Sequence, residues 1–495
     1  MAEADKGRKK HAYERVGGAL ARLIENGTLR AGERLPSVRT ICRRERVSPA
    51  TALQAYAELE RAGWVEVRER SGHYVRARAA AGRGEAKPAA AARALRPDPA
   101  PTQVGVSDEV ARVFAQAADP GLAPLAAALP AAELLPLDEL ARHVAAAARR
   151  DAGAIGRYAF AGGNAELRRA LAARFAGFGC EIGPEEITIT AGAMEALNLA
   201  VRAVTRPGDI VAVESPGYFG ILEILESLGL QALPVPADPV RGADLEALAA
   251  ALEDHAVKAM VMVSSFSNPT GACLEPEKRE RLVALLADHG VPLIEDDVYG
   301  DLHFGPERPR PMRAWDREGE VLYCGSFSKT LAPGLRLGWV AGGRFHERVR
   351  RLKNITSVGA AEPAQAGLAD YLAGQAYERH LRRLRRSFEA QVATAREAVL
   401  AGFPGGTAVN APRGGFFLWV QLPVEMDALE LHRRAEANGV GIAPGPLFCP
   451  HGNYRNFIRV GCGSPWSPRI EAAVRTVGGL AGELARPTLR PRRGR

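Results

Sequence analysis

Residues 79–101 contain only Ala, Arg, Gly, Pro, Leu, Lys, Glu and Asp, with alanine dominant and Pro88, Pro97, Pro99 and Pro101 crowding the second half. No core can be built from such a stretch, because a chain without apolar bulk cannot offset the entropy of ordering itself. It cuts the 495 residues into a short front part and a long rear part. The expected organisation is a front module over 9–78, a part-helical, part-extended linker over 79–106, a main domain over 107–485 and a basic tail over 486–495. The tail, RPTLRPRRGR, is either a phosphate contact or a solvated end.

Apolar residues make up 47% of the chain and charged ones 25%, and no apolar run approaches the ~20 residues of a membrane-spanning helix. A soluble protein with no membrane partner is expected. The six cysteines are too sparse for a disulfide scaffold, and the start lacks a secretory apolar segment, so a cytoplasmic location is expected. Of the net charge of +8, most sits in residues 1–78, which hold 17 Lys/Arg against 10 Asp/Glu. Such a front module suits a polyanionic partner.

Residues 11–78 read as three helices and a hairpin. HAYERVGGALARLIENG sets Val16, Leu20, Leu23 and Ile24 on one helical face and stops at Gly27. Ser37 caps a short second helix, and Ser48 with Pro49 opens a third with a Leu53, Tyr56, Leu59 stripe. Two short helices so joined fit a helix-turn-helix, and WVEVRERSGHYVRAR fits a two-stranded wing around Ser71-Gly72. Through GTLRAGERLPSVRTI, VSPATALQAYAELERAGW and RSGHYV, the segment resembles the winged-helix domain of GntR-type bacterial regulators. That resemblance implies double-stranded operator DNA as a partner and Arg39, Ser48, Thr51 and the wing at Gly72 as its contacts. Many such relatives carry Arg where this chain has Pro49.

From about 107 to 485, short β-branched runs alternate with longer amphipathic stretches, as in EITIT before AGAMEALNLAVRAV and DIVAVE before FGILEILESLG. This rhythm predicts an α/β domain whose mostly parallel sheet is covered by helices. RGGFFLWVQL and FIRVGCG predict strands of a smaller C-terminal α+β lobe. There is no GxxxxGK[ST], no GxGxxG after a strand, no HExxH and no spaced Cys/His cluster, so nucleotide loops and metals have no support.

Five segments, each at or just past a predicted strand end, do carry chemistry. ITITAGAME offers the N–H groups of Gly192, Ala193 and Met194 to a phosphate at a helix start. ESPGYFG brings Tyr218, SFSNPTG brings Asn268, IEDDVYG brings Asp296 and Tyr299, and GSFSKTLAPGLRLG brings Ser326, Ser328, Lys329 and Arg336. Together they cover every end of pyridoxal 5'-phosphate. Lys329 would form the Schiff base, Asp296 would pair with the ring nitrogen, and Asn268 and Tyr299 would bond the ring hydroxyl. Tyr218 would stack on the ring, while Ser326, Ser328 and Arg336 would neutralise the phosphate.

Across roughly 120–480 the chain resembles fold-type I aminotransferases, most closely the branch with kynurenine and aminoadipate aminotransferases. The resemblance gives Arg459 in FIRVGCG the substrate α-carboxylate, gives Tyr158 in RYAFAGGNAELRRAL a reach to the neighbouring subunit's phosphate, and implies a homodimer. A GntR-type winged helix fused to such a domain resembles the MocR subfamily. It implies a regulator that senses an amino acid or other amine by an internal-to-external aldimine switch at Lys329. Two alternatives remain open: a working aminotransferase with an accessory DNA-binding domain, and a sensor of pyridoxal phosphate itself.

Overall fold

The computed structural model describes residues 13, 16–18, 20, 35–45, 47–61, 65–68, 72–75, 99–160 and 162–485. By contact the chain separates into two units, Met1–Pro88 and Ala89–Arg495. Leu23, Ile24 and Gly27, the linker up to residue 98, and the tail 486–495 lie outside the described residues.

In the front unit, helices Val38–Glu45 and Pro49–Arg61 are each opened by a serine. The N–H of Thr40 donates to Ser37 Oγ and that of Thr51 to Ser48 Oγ, both at 3.2 Å. Each cap satisfies a donor that the first turn leaves without an intrahelical partner. Strand Val65–Arg68 pairs antiparallel with Gly72–Val75, which makes the wing. Val16, Leu20, Leu35, Ile41, Ala52, Ala55, Tyr56, Leu59 and Val65 form one small core. Tyr56 anchors it through both its ring and its hydroxyl. Its ring stacks on His73 at 4.6 Å between centroids, and its hydroxyl donates to the carbonyl of Pro36.

One expectation fails here: Leu53 is 51% exposed. The buried face starts a residue earlier, at Ala52, and runs through Ala55, Tyr56 and Leu59 with i, i+3, i+4, i+7 spacing. Two alanines at the start of that series hid it among larger neighbours.

The second unit is built on a nine-stranded sheet. Along its main path the order is Thr102–Gln103, Gln231–Asp238, Ile210–Ser215, Val257–Val263, Leu293–Asp296, Val321–Ser326, Gly338–Ala341, Ile187–Thr190. The five strands from Gln231–Asp238 to Val321–Ser326 are parallel. Gly338–Ala341 runs against both its neighbours, so Ile187–Thr190 points the same way as the parallel majority. The strands are apolar runs rather than alternating ones because helices pack on both faces.

Residues 102–106 depart from the expected linker. Thr102 and Gln103 pair with Ala232 and Gln231 at the sheet edge, and Val104 and Val106 are buried. A composition shift marks where low complexity ends, not where chain first finds apolar surface to cover. Nearer the C-terminus, Ala408–Val409, Phe417–Gln421, Phe457–Gly461 and Ala443–Pro444 form an antiparallel sheet in that order. Helices Ala376–Gly402, Ala428–Ala437 and Pro468–Leu484 back it around Leu418, Val420, Ile458 and Val460. This is the predicted smaller lobe.

Candidate functional site

The sheet brings the five segments to one edge. Gly192 follows Ile187–Thr190, Tyr218 follows Ile210–Ser215, Asn268 follows Val257–Val263, Asp296 ends Leu293–Asp296, and Ser326 ends Val321–Ser326. Because these strands share a direction, their C-terminal ends open on a single crevice, where open α/β sheets hold ligands. Arg459 arrives from a different sheet, in the middle of Phe457–Gly461. The crevice therefore has one wall from each sheet.

Lys329 is half-buried and donates its amine to the carbonyl of Ala128 at 2.7 Å. Burial, then the Arg459 and Arg336 charges, pull its amine down to about 8, against the opposing pull of Asp296. Asp296 is buried and pushed up to about 7 by burial and by Asp297, with Lys329 and the N–H of Val298 acting the other way. Asp297 points elsewhere, into Arg308 at 2.5 Å and Tyr323 at 2.8 Å. So one carboxylate of the pair is neutralised and the other is left facing the crevice.

Arg459 is buried, its guanidinium lowered to about 10 by burial. It donates to Asn268 Oδ1 at 2.9 Å and to the carbonyl of Ala126, flanked by the rings of Phe448 and Phe219 at 5.2 and 5.8 Å. Tyr299 is buried, and burial raises its hydroxyl far above the usual range. Burial likewise lifts Tyr218 to about 12; its hydroxyl lies 3.9 Å from Met194 Sδ.

At the far end, helix Ala193–Val204 starts behind Gly192, whose φ of +86° suits a residue without a Cβ. Arg336 lies against Gly192 closely enough that a Cβ there would strike its guanidinium, and it donates to the carbonyl of Ala191 at 3.0 Å. Its other amine is 3.5 Å from Ser328 Oγ. Ser326 Oγ accepts the N–H of Ser328 at 3.3 Å, so it is turned to the loop's own backbone.

The other expected residues stand apart. Tyr158 is 72% exposed and neighbours Phe160, and no hydrogen bond or ring contact among the described residues joins it to Lys329. In the front unit Ser48 is exposed and Thr51 half-buried at the start of helix Pro49–Arg61. Arg39 lies on helix Val38–Glu45, with its side chain outside the described residues, and Gly72 opens the second wing strand.

Several contributors carry no sequence signal. The segment holding Ala126 and Ala128 lends only backbone oxygens, which no motif can announce. Glu195 bonds the N–H of Ala191 at 2.5 Å and pairs with Lys353 at 2.6 Å, fixing the turn before Gly192. Glu214, buried and pushed up to about 7 by burial, accepts from Ser267 Oγ at 3.2 Å, next to Asn268. A separate cleft of about 830 Å³ is lined by Arg174, Asp301, Arg308 and Tyr377. Its charges answer one another: Arg174 and Arg308 hold the Asp301 carboxyl well below its ordinary range, against the upward push of burial.

Fold and crevice together define a two-part protein, a winged helix-turn-helix joined to a fold-type I aminotransferase-type domain. Residues 132–475 match the aminotransferase class I and II family, and residues 12–75 match the bacterial regulatory proteins of the gntR family. The chain belongs to the MocR-like group of regulators that combine the two. It is 40% identical over 95% of its length to YdcR, an HTH-type transcriptional regulator of Escherichia coli K12, of which 99% is covered. The kynurenine aminotransferase of Pyrococcus horikoshii, solved with PMP, is 27% identical with a TM-score of 0.71 over 76% of this chain and 95% of its own. LysN, the α-aminoadipate aminotransferase of Thermus thermophilus solved with N-(5'-phosphopyridoxyl)-L-leucine, is 28% identical with a TM-score of 0.69 over 77% and 99%.

The residues present fit pyridoxal phosphate on three counts. Asp296 Oδ1, Asn268 Nδ2 and Arg459 Nε are buried polar atoms without a hydrogen-bond partner among the described residues, and such atoms are costly unless a ligand answers them. The turn at Gly192, with Arg336 beside it, is a cationic cradle at a helix start. Lys329 holds an amine whose proton is loosely bound.

Proposed function

We propose that this chain is a homodimeric cytoplasmic transcriptional regulator that binds operator DNA through its front module and senses an amino acid or related amine at a pyridoxal phosphate site on Lys329. The observation that carries the reading is that buried polar atoms of Asp296, Asn268 and Arg459 stand without a hydrogen-bond partner among the described residues, in a chain that also folds a winged helix. When bound, the cofactor supplies an electrophilic carbon that exchanges one amine for another.

The chain's own groups have separable tasks. Lys329 gives up its proton readily, because burial and Arg459 disfavour the ammonium. Asp296 offers a carboxylate to the ring nitrogen, and that positive partner favours its ionised form. Asn268 and Tyr299 bond the ring hydroxyl, and Tyr218 covers the ring. Gly192, Ala193 and Met194 present N–H groups to the phosphate, joined by Ser326, Ser328 and Arg336. Arg459 exchanges Asn268 for the effector's carboxylate, a planar fork meeting a planar acceptor. Tyr158, exposed on its own subunit, extends to the partner's phosphate end. Arg39, Ser48, Thr51 and the backbone at Gly72 contact DNA. Working transamination is the second reading, favoured by the complete set of Lys329, Asp296, Tyr299 and Arg459.

The test is to footprint the purified protein on its own upstream DNA with and without pyridoxal phosphate, then to titrate amines while recording the absorbance of lysine-bound cofactor. Protection that changes with an amine, with little keto acid formed, supports the regulator. Steady keto-acid release with unchanged protection supports the enzyme. Lys329→Ala removes the lysine-bound absorbance, and its persistence overturns the cofactor assignment.

A further inference from the structure

Helix Ala376–Gly402 carries RHLRRLRR over residues 379–386. Its inner side is buried through Tyr377, His380, Leu381, Leu384 and Phe388. Arg379, Arg382, Arg383 and Arg386 fall at i, i+3, i+4 and i+7, which places all four on one outer face, and all four are exposed. Many other surface arginines are matched by carboxylates: Arg433 and Arg434 by Glu430, Arg475 by Glu471, Arg350 by Glu347. These four form no ion pair among the described residues. Arg383 touches the ring of His380 at 3.3 Å, and Arg386 Nε donates to the carbonyl of Arg382 at 3.3 Å.

The acidic groups nearby do not cancel the stripe. Glu378 is turned to Arg174, and Glu139 acts on Tyr371 and His380 without pairing with an arginine of the stripe. Glu389, a turn beyond Arg386, makes no ion pair among the described residues. Arg379 with Arg383 and Arg382 with Arg386 are like charges at i, i+4, an arrangement that destabilises a helix. A polyanion laid along the face removes that cost.

We propose that this arginine stripe is a second DNA contact, on the aminotransferase-type unit, that grips the phosphate backbone without reading sequence. The inference rests on the DNA-binding reading above. From Arg379 to Arg386 the helix rises about 10 Å at 1.5 Å per residue. That length faces roughly six backbone charges of a duplex at one per ~1.7 Å. A guanidinium fork suits phosphate oxygens, and contacts of this kind position a duplex rather than select it.

The test uses the full chain with cofactor, its R379Q/R382Q/R383Q/R386Q variant, and a quadruple Lys variant that keeps the charges. Affinity for upstream DNA and for a scrambled duplex of equal length is followed by fluorescence anisotropy across a salt series. The expected result is that the Gln variant loses about 10- to 1,000-fold affinity for both duplexes at low salt. Its slope of log K against log salt becomes shallower by about two to four, while the Lys variant keeps the wild-type slope. An unchanged slope in the Gln variant, or a loss confined to upstream DNA, overturns the proposal and leaves the regulator reading standing. A wild-type chain that binds neither duplex overturns both. Stripe-dependent capture by anionic phospholipid vesicles with an unchanged DNA slope assigns the stripe to a membrane surface and overturns it too.

Discussion

The site's chemistry is set first by burial, and then by neighbouring charges, which together pull two ionisable groups toward each other in pH. Lys329 is drawn down to about 8 and Asp296 up to about 7, so between those values each is poised to change charge. An acid whose folded pKa lies above its unfolded one costs stability as pH rises through the interval from about 4 to about 7. Asp296→Asn is therefore expected to raise the melting temperature of the cofactor-free protein at pH 8 while weakening pyridoxal phosphate binding at least tenfold. A calorimetric scan and a spectral titration check the two halves. The same substitution removes the anion that favours the Lys329 ammonium, so the pH midpoint for lysine loading should fall below about 8. Arg459→Lys keeps the charge but loses the fork. A carboxylate effector should then bind about 10- to 100-fold more weakly, while an amine without a carboxylate binds as before, by titration of the cofactor absorbance.

At the scale of elements, much of the fold was legible because strand and helix signals were continuous runs. The βα rhythm announced the parallel sheet, and ordering five ligand-type segments at strand ends announced the crevice. Local spacing could not show what depends on the third dimension. Ala126 and Ala128 offer only carbonyls, Glu195 acts through a turn, and Gly338–Ala341 reverses direction inside the sheet. The front unit adds a compact case. Leu53, half exposed, fits the apolar stripe by spacing but not by packing, whereas Leu59 is 3% exposed. Leu59→Ala should destabilise the front unit by about 2–5 kcal/mol, and Leu53→Ala by less than about 0.5. Calorimetry of the full chain, following the front unit's transition, distinguishes them; equal effects would mean the helix turns a different face inward.

For the whole molecule, the proposed regulator reading makes sensing a coupling free energy between an effector in the aminotransferase-type unit and DNA on the front unit. An effector that alters DNA affinity by some factor must find its own affinity altered by the same factor when DNA is present. Factors of about 5–150 are ordinary for such coupling. Measuring effector affinity with and without saturating operator DNA, and DNA affinity with and without saturating effector, should give one number twice. Two different numbers would point to turnover during the measurement, as the enzyme reading requires.

The guanidinium of Arg459 already clasps Asn268 across the gap between the two sheets. An arriving carboxylate must dislodge that internal substitute, so the newcomer inherits a ready-made seat instead of calling a buried charge out of water. On the proposed reading, the gain on arrival is the difference between two similar embraces, so the grip stays loose enough to release the carboxylate again.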